Sequence, residues 1–144
     1  MSDLVFVDTN VFLYALDETD PKKQQAAAAW KASLWKGRSG RTSFQVLQEF
    51  YVNALQKWPK SIASARAEVR DLLAWRPIAV HAALLQEGWK IQDRFRLSFW
   101  DSLIVAAAKA SACNILLTED LQHGQDLDGV VVVNPFRRDP SSLK

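Results

Sequence analysis

The stretch VFVDTNVFLYALD, residues 5–17, opens with an apolar run that stops at Asp8 and resumes at Val11. Together with Leu4 the run reads as a buried strand, and a carboxylate stands at its carboxyl end. Asp is a favoured helix N-cap, so Asp8 could serve only the helix that follows. The other explanation is chemistry, and that requires further acids in equivalent places.

The rest of the chain says where such places lie. Asp20-Pro21 is a helix-start signal. The helix formers of KKQQAAAAWKASLWKG carry that helix to Gly37. Further helices are predicted from Phe44 to Trp58, Ser61 to Trp75, Ala82 to Arg96 and Phe99 to Ala112. Short apolar runs at Ile78–Val80, Ile115–Leu117 and Val130–Val133 read as strands, and Gly40–Ser43 adds one more. Continuous apolar strands separated by helices indicate an α/β fold with a mostly parallel, buried sheet. In such sheets the ligand crevice lies outside the carboxyl ends of the strands.

Asp120 follows the strand ILL in LLTED, so a second strand delivers an acid to the same edge as Asp8. Asp101 lies in LSFWDSLIVAAAKASA, in the first turn of a helix apolar almost all round, whose start is expected near the sheet edge. Glu49 sits within the helix that follows GRTS. Each has an ordinary explanation. Ser98 and Asp101 match capping-box spacing. Glu49 falls on a polar helix side with Gln45, Asn53 and Gln56, which places it in solvent. Asp120 belongs to a loop that also holds Glu119, Asp126 and Asp128.

Jointly the acids mean more. Carboxylates brought together repel unless a cation resides there or some protonate. An all-oxygen donor set suits Mg²⁺ or Mn²⁺. Zinc is disfavoured, because His81, His123 and Cys113 share no ligand spacing. A phosphate-binding glycine loop is excluded by the scarcity of glycine, with five in the chain.

Length and composition agree with one soluble domain spanning 1–144, with 137–144 as a short basic and polar tail. The chain has 144 residues, 49% hydrophobic and 24% charged. Its apolar stretches are too short for a bilayer, and Met1–Val7 lacks a signal-peptide pattern, so a cytoplasmic location is expected. Cys113, in an apolar helical stretch, reads as a buried structural thiol. A net charge of +2 identifies no nucleic-acid partner by itself. Basic clusters occur at Lys36, Arg38 and Arg41, at Lys57, Lys60, Arg66 and Arg70, and at Lys90, Arg94 and Arg96. They matter as phosphate contacts only if a site exists.

VDTNVFLYALD, then EFY on a helix, then FWDSLIVAAA, then LLTEDLQHG resemble, in order and spacing, the PIN domain, and within it the VapC-type toxins of bacterial toxin–antitoxin modules. The resemblance implies a three-layer α/β/α sandwich around a short, mostly parallel sheet, and Mg²⁺- or Mn²⁺-dependent endoribonuclease activity. It assigns the catalytic, metal-holding acids to Asp8, Glu49, Asp101 and Asp120, supported by Asn10 and Thr118. It further implies an RNA substrate, a homodimer, and an antitoxin partner in a groove to which Trp30 and Trp35 contribute. With such a site the basic clusters gain weight as phosphate contacts, Arg38 and Arg41 among them. Two other readings use the same residues. One is a non-catalytic PIN-like module that binds RNA or protein, and the other is a metal-dependent DNA nuclease or phosphatase. Aspartyl-phosphate chemistry is disfavoured, since Asn10 stands where a second Asp would be needed.

Overall fold

In the computed structural model, which describes residues 3–143, five strands form one sheet in the order β2-β1-β3-β5-β4. The strands are β1 (Val5–Val7), β2 (Gly40–Arg41), β3 (Ile115–Leu117), β4 (Asp126–Leu127) and β5 (Val130–Val133). β1 pairs in parallel with both β2 and β3, and β3 pairs in parallel with β5. The helices are α1 (Thr9–Tyr14), α2 (Pro21–Gly37), α3 (Phe44–Lys57), α4 (Ile62–Leu72), α5 (Ala82–Phe95) and α6 (Phe99–Ala110). They flank the sheet as a three-layer α/β/α sandwich. All residues of β1 and β3 are buried, which is why these strands carry unbroken apolar runs. α6 is buried from Ser102 to Ala108, as its all-round apolar sequence requires.

Two strand expectations need correction. Ile78–Val80 is not a strand. Ile78 makes a single parallel bridge to Ser43, and Val80 is half exposed. Pro77 has no N–H to extend a ladder backwards from Ile78. Conversely, β4 pairs antiparallel with β5 through a tight turn at Asp128 and Gly129, both with positive φ (59° and 96°). That is the backbone of a two-residue hairpin, and Asp-Gly is its favoured sequence.

Residues 137–143 are more than a loose tail. They hold a 3₁₀ turn, Pro140–Leu143, and Leu143 packs on the core. Trp30 corrects the groove expectation. It is fully buried, and its indole N–H donates to the carbonyls of Pro135 (3.1 Å) and Arg138 (2.9 Å). Trp30 is a core residue that fastens the carboxyl-terminal segment. Cys113 is buried as expected, and burial pushes its thiol up to about 12, so it stays protonated. Among the described residues no helix is long and apolar enough to cross a membrane.

Candidate active site

The acids gather where the parallel strands end. Asp8 follows β1 directly and its N–H donates to the Leu117 carbonyl of β3 at 3.1 Å, so the sheet ladder itself fixes its position. It is also the N-cap of α1: the Thr9 N–H donates to Asp8 Oδ1 at 2.8 Å. The capping explanation and the functional one are therefore compatible. Asp8 Oδ2 accepts from the Thr118 hydroxyl at 2.9 Å.

Thr118, fully buried at the end of β3, is the hub of this edge. Its Oγ1 donates to Asp8 and accepts from Asn10 Nδ2 (3.0 Å) and from the Asp120 N–H (3.1 Å). Asn10 Nδ2 also donates to Asp120 Oδ2 at 3.0 Å. Thr118 and Asn10 thus lock the two strand-end acids into one frame. Thr118→Val removes a buried hydroxyl with three partners and is expected to destabilise the protein by about 1–3 kcal/mol. Thermal unfolding checks this, and a Thr118→Ser variant close to wild type would tie the effect to the hydroxyl.

Glu49 is not the solvated residue that periodicity predicts. Its carboxylate accepts from the Thr9 hydroxyl (2.9 Å) and from Gln45 Nε2 (3.2 Å). That side of α3 is polar because it faces the other acids. Asp101 sits in the first turn of α6, where the Ser98 hydroxyl accepts the Asp101 N–H at 3.0 Å. Ser98 therefore caps the helix. The reciprocal half of a capping box, from the Ser98 N–H to the Asp101 carboxylate, is not made among the described residues, and Asp101 lines the pocket.

Asp8, Glu49, Asp101 and Asp120 line one pocket of about 210 Å³, together with Asn10, Gln45, Asn53 and Trp100. Among the described residues no Lys, Arg or His lines it. Burial is the main force on Asp8 and, with the negative charges of Asp120 and Glu49, pushes its carboxyl up to about 7 against the pull of Thr9 and Thr118. Burial also raises Asp101, with Asp120 and Glu49 adding and Ser98 opposing. Among the described residues, no three His, Cys, Asp or Glu side chains form a group able to hold a metal ion as they stand. Asp8, Glu49 and Asp120 accept hydrogen bonds from the neutral donors Thr9, Thr118, Gln45 and Asn10, which favour their charged forms.

Trp100 escaped the sequence reading. It is 63% exposed at the rim of the pocket, directly before Asp101. An aromatic residue adjoining a pocket acid is a signal that the sequence carries. Arg38 and Arg41 are not at this site. They line a separate pocket with Trp35, Trp75 and Arg76 that shares no residue with the acidic one.

A mostly parallel α/β sandwich with an acid-lined pocket at the carboxyl edge of its sheet is the architecture that the sequence resemblance implied. The PIN domain family matches residues 5–125, and the chain belongs to it. Similar solved structures share the fold. A toxin–antitoxin complex from Klebsiella pneumoniae superposes with a TM-score of 0.64 at 20% identity, covering 91% of this chain and 97% of that one. The sarcin–ricin-loop-cleaving toxin VapC20 of Mycobacterium tuberculosis gives 0.59 at 22% identity, covering 78% and 86%. VapBC2 of Rickettsia felis, bound to a fragment of promoter DNA, gives 0.63 at 15% identity, covering 91% and 98%. A comparison with curated proteins gives no match.

Proposed function

We propose that this protein is a Mg²⁺- or Mn²⁺-dependent endoribonuclease acting as the toxin of a toxin–antitoxin pair. PIN family membership supports a nuclease-type function. The observation that carries the finer reading is the pocket itself: four carboxylates with no cationic side chain among them, one of them only part-ionised near neutral pH. Such a set fits a hard divalent cation by donor chemistry, since every available donor is oxygen. Asp8 and Asp101 would hold the ion, with Glu49 and Asp120 supporting it. When bound, the cation lowers the pKa of a coordinated water and offsets charge on the phosphate oxygens. Thr118 and Asn10 orient Asp8 and Asp120, and Trp100 offers an exposed ring face on which a base near the scissile bond can stack.

The direct test is cleavage of RNA and DNA side by side by the purified chain, with Mg²⁺, with Mn²⁺ and with excess chelator. Metal-dependent RNA cleavage that stops with chelator is the expected result. Cleavage that persists in chelator refutes the metal, preference for DNA moves the protein to the DNA nucleases, and inertness toward every RNA tested returns it to the non-catalytic modules. In bacteria, where we place it in the cytoplasm, expression of the chain alone should slow growth and Asp8→Ala should relieve this. Equal toxicity of the two at matched expression would refute the toxin role.

The antitoxin is proposed from the toxin–antitoxin complexes that share this fold. The groove that favours it here is the apolar one of about 420 Å³ lined by Leu16, Ala54, Trp58 and Ala65. Leu16→Glu should prevent co-purification of a partner from the native host, and unchanged co-purification would exclude this groove. The family resemblance also supports a homodimer, and sedimentation of the pure chain at a monomer mass would exclude it.

A further inference from the structure

The edge of the sheet opposite the acids carries a second built pocket. Val5 opens β1 in register with Gly40, and its N–H donates to the Ser39 carbonyl at 2.9 Å. Residues 38–40 therefore lie at the amino end of the strands, whereas Asp8 lies at the carboxyl end. Gly40 is required there. A Cβ on it would come within 2.6 Å of the Trp75 ring, so only glycine lets that indole lie flat on the strand. Trp75 is buried, and Trp35 leans on it with ring centroids 5.9 Å apart while remaining 45% exposed. The result is an aromatic wall with one accessible ring.

Three guanidinium groups surround this wall. Arg38 ends α2 and Arg76 ends the 3₁₀ turn Leu73–Trp75, both in the left-handed conformation. An arginine at a helix end is ordinarily explained by the helix dipole, and Arg96 at the end of α5 is such a case. Here two helix ends converge on one pocket of about 240 Å³, and Arg41 joins them from β2. Arg41 Nη1 is anchored on the carbonyls of Gly40 (2.8 Å) and Arg38 (3.2 Å). Its Nε and Nη2 hydrogens make no hydrogen bond among the described residues. None of the three arginines pairs with a carboxylate among the described residues, and no acid lines the pocket.

Clustered, unneutralised guanidinium groups recognise phosphate, with planar forks suited to its oxygens. An exposed indole beside them recognises a base by its π-face. We propose that this pocket binds a nucleotide, its phosphate on Arg38, Arg41 and Arg76 and its base on Trp35. The nucleotide is either free or one unit of a single RNA strand. An acidic peptide would use the charges but leave the indole unexplained.

The test is equilibrium binding in the presence of chelator, so that it reads no cleavage and stands or falls separately from the nuclease reading. The probes are adenosine 5′-monophosphate, inorganic phosphate, a poly-glutamate peptide and a fluorescein-labelled single-stranded RNA. The variants are Trp35→Ala and the double variant Arg38→Asn/Arg76→Asn, which removes two charges while keeping residues that tolerate the left-handed backbone. The double variant should weaken nucleotide or RNA binding at least tenfold. In the RNA arm it should also reduce the salt slope by up to roughly 0.7, the value for one phosphate contact on a single strand. Trp35→Ala should weaken nucleotide binding while leaving inorganic phosphate unchanged. Response of the monophosphate alone identifies a free nucleotide, and response of the RNA alone identifies a strand. The proposal is overturned if neither probe responds to the double variant. It is equally overturned if Trp35→Ala has no effect, or if phosphate or poly-glutamate binds as tightly as the nucleotide.

Discussion

Asp101→Asn is expected to reduce RNA cleavage by about 10²-fold or more, the upper range for disturbing even the partners of metal ligands, without destabilising the fold. Asp101 has two roles to be separated. As an acid in the first turn of α6 it complements the helix dipole, worth about 0.3–1 kcal/mol. The cap itself is made by Ser98, whose hydroxyl accepts the Asp101 N–H, so the amide isostere leaves it intact. Against the lost dipole interaction stands relief from burying a charge beside Asp120 and Glu49, since burial first and those charges second raise the Asp101 carboxyl. The metal-free variant should therefore melt at the same temperature as wild type or slightly higher. Added Mg²⁺ should raise the melting temperature of wild type more than that of the variant, because a bound ligand stabilises by mass action. A destabilised variant with full activity and an undiminished response to Mg²⁺ would reduce Asp101 to a helix-terminus residue.

Asp8 is expected to impose an unusual pH dependence on stability. Its carboxyl is held at about 7 in the folded protein, against 3.8 for an unperturbed aspartate. The native state therefore binds this proton more tightly than the unfolded state does. By linkage, the contribution is most favourable below pH 4, falls as pH rises towards 7, and is constant above that. The full change corresponds to about 4 kcal/mol for a shift of this size. Other acids act with the opposite sign. Asp17 is lowered by Thr19 and Lys57, and Asp128 by Lys109, so their contributions are lost in acid. Comparing wild type with Asp8→Asn in chelator isolates the contribution of Asp8. The isostere puts an NH₂ beside Thr118 Oγ1, which already accepts from Asn10 and from the Asp120 N–H. That cost is the same at every pH, so the slope is what matters. Relative to wild type, the variant should gain stability between pH 4 and 7 in urea unfolding. A flat difference would mean that Asp8 is not held protonated by its surroundings.

The parts of this protein legible in its sequence are those where local chemistry and burial agree. β1 and β3 are buried on both faces, so their apolar runs and terminal acids could be read directly. The end of α2 at Gly37 and the start of α6 at Ser98 carried their own signals. The β4–β5 hairpin was also written in the chain, as Asp128-Gly129 between Leu127 and Val130, but β4 is only two residues long and too short for a periodicity to register. Ile78–Val80 misled because a run of three apolar residues does not distinguish a strand from a single bridge. Glu49 shows the deeper limit. A helix side facing an acidic pocket has the same polar pattern as one facing water, and only the packing of α3 against α1 separates the two. Arg38 and Arg41 show the same for charge, since clustering along the chain says nothing about which edge of the sheet the side chains reach.

If Asp8, Glu49, Asp101 and Asp120 form a cation site, as proposed, calorimetric titration of the metal-free protein with Mn²⁺ will show it. Run at pH 7 in two buffers of different ionisation enthalpy, it reads the affinity and the protons released together. An Asp8 carboxyl at about 7 must lose its proton to act as a ligand, so binding should expel a fraction of a proton at pH 7 and less at pH 9. Asp8→Asn should reduce this release, and Asp101→Asn should weaken the binding. No heat at millimolar Mn²⁺, or binding that neither substitution alters, would contradict the account.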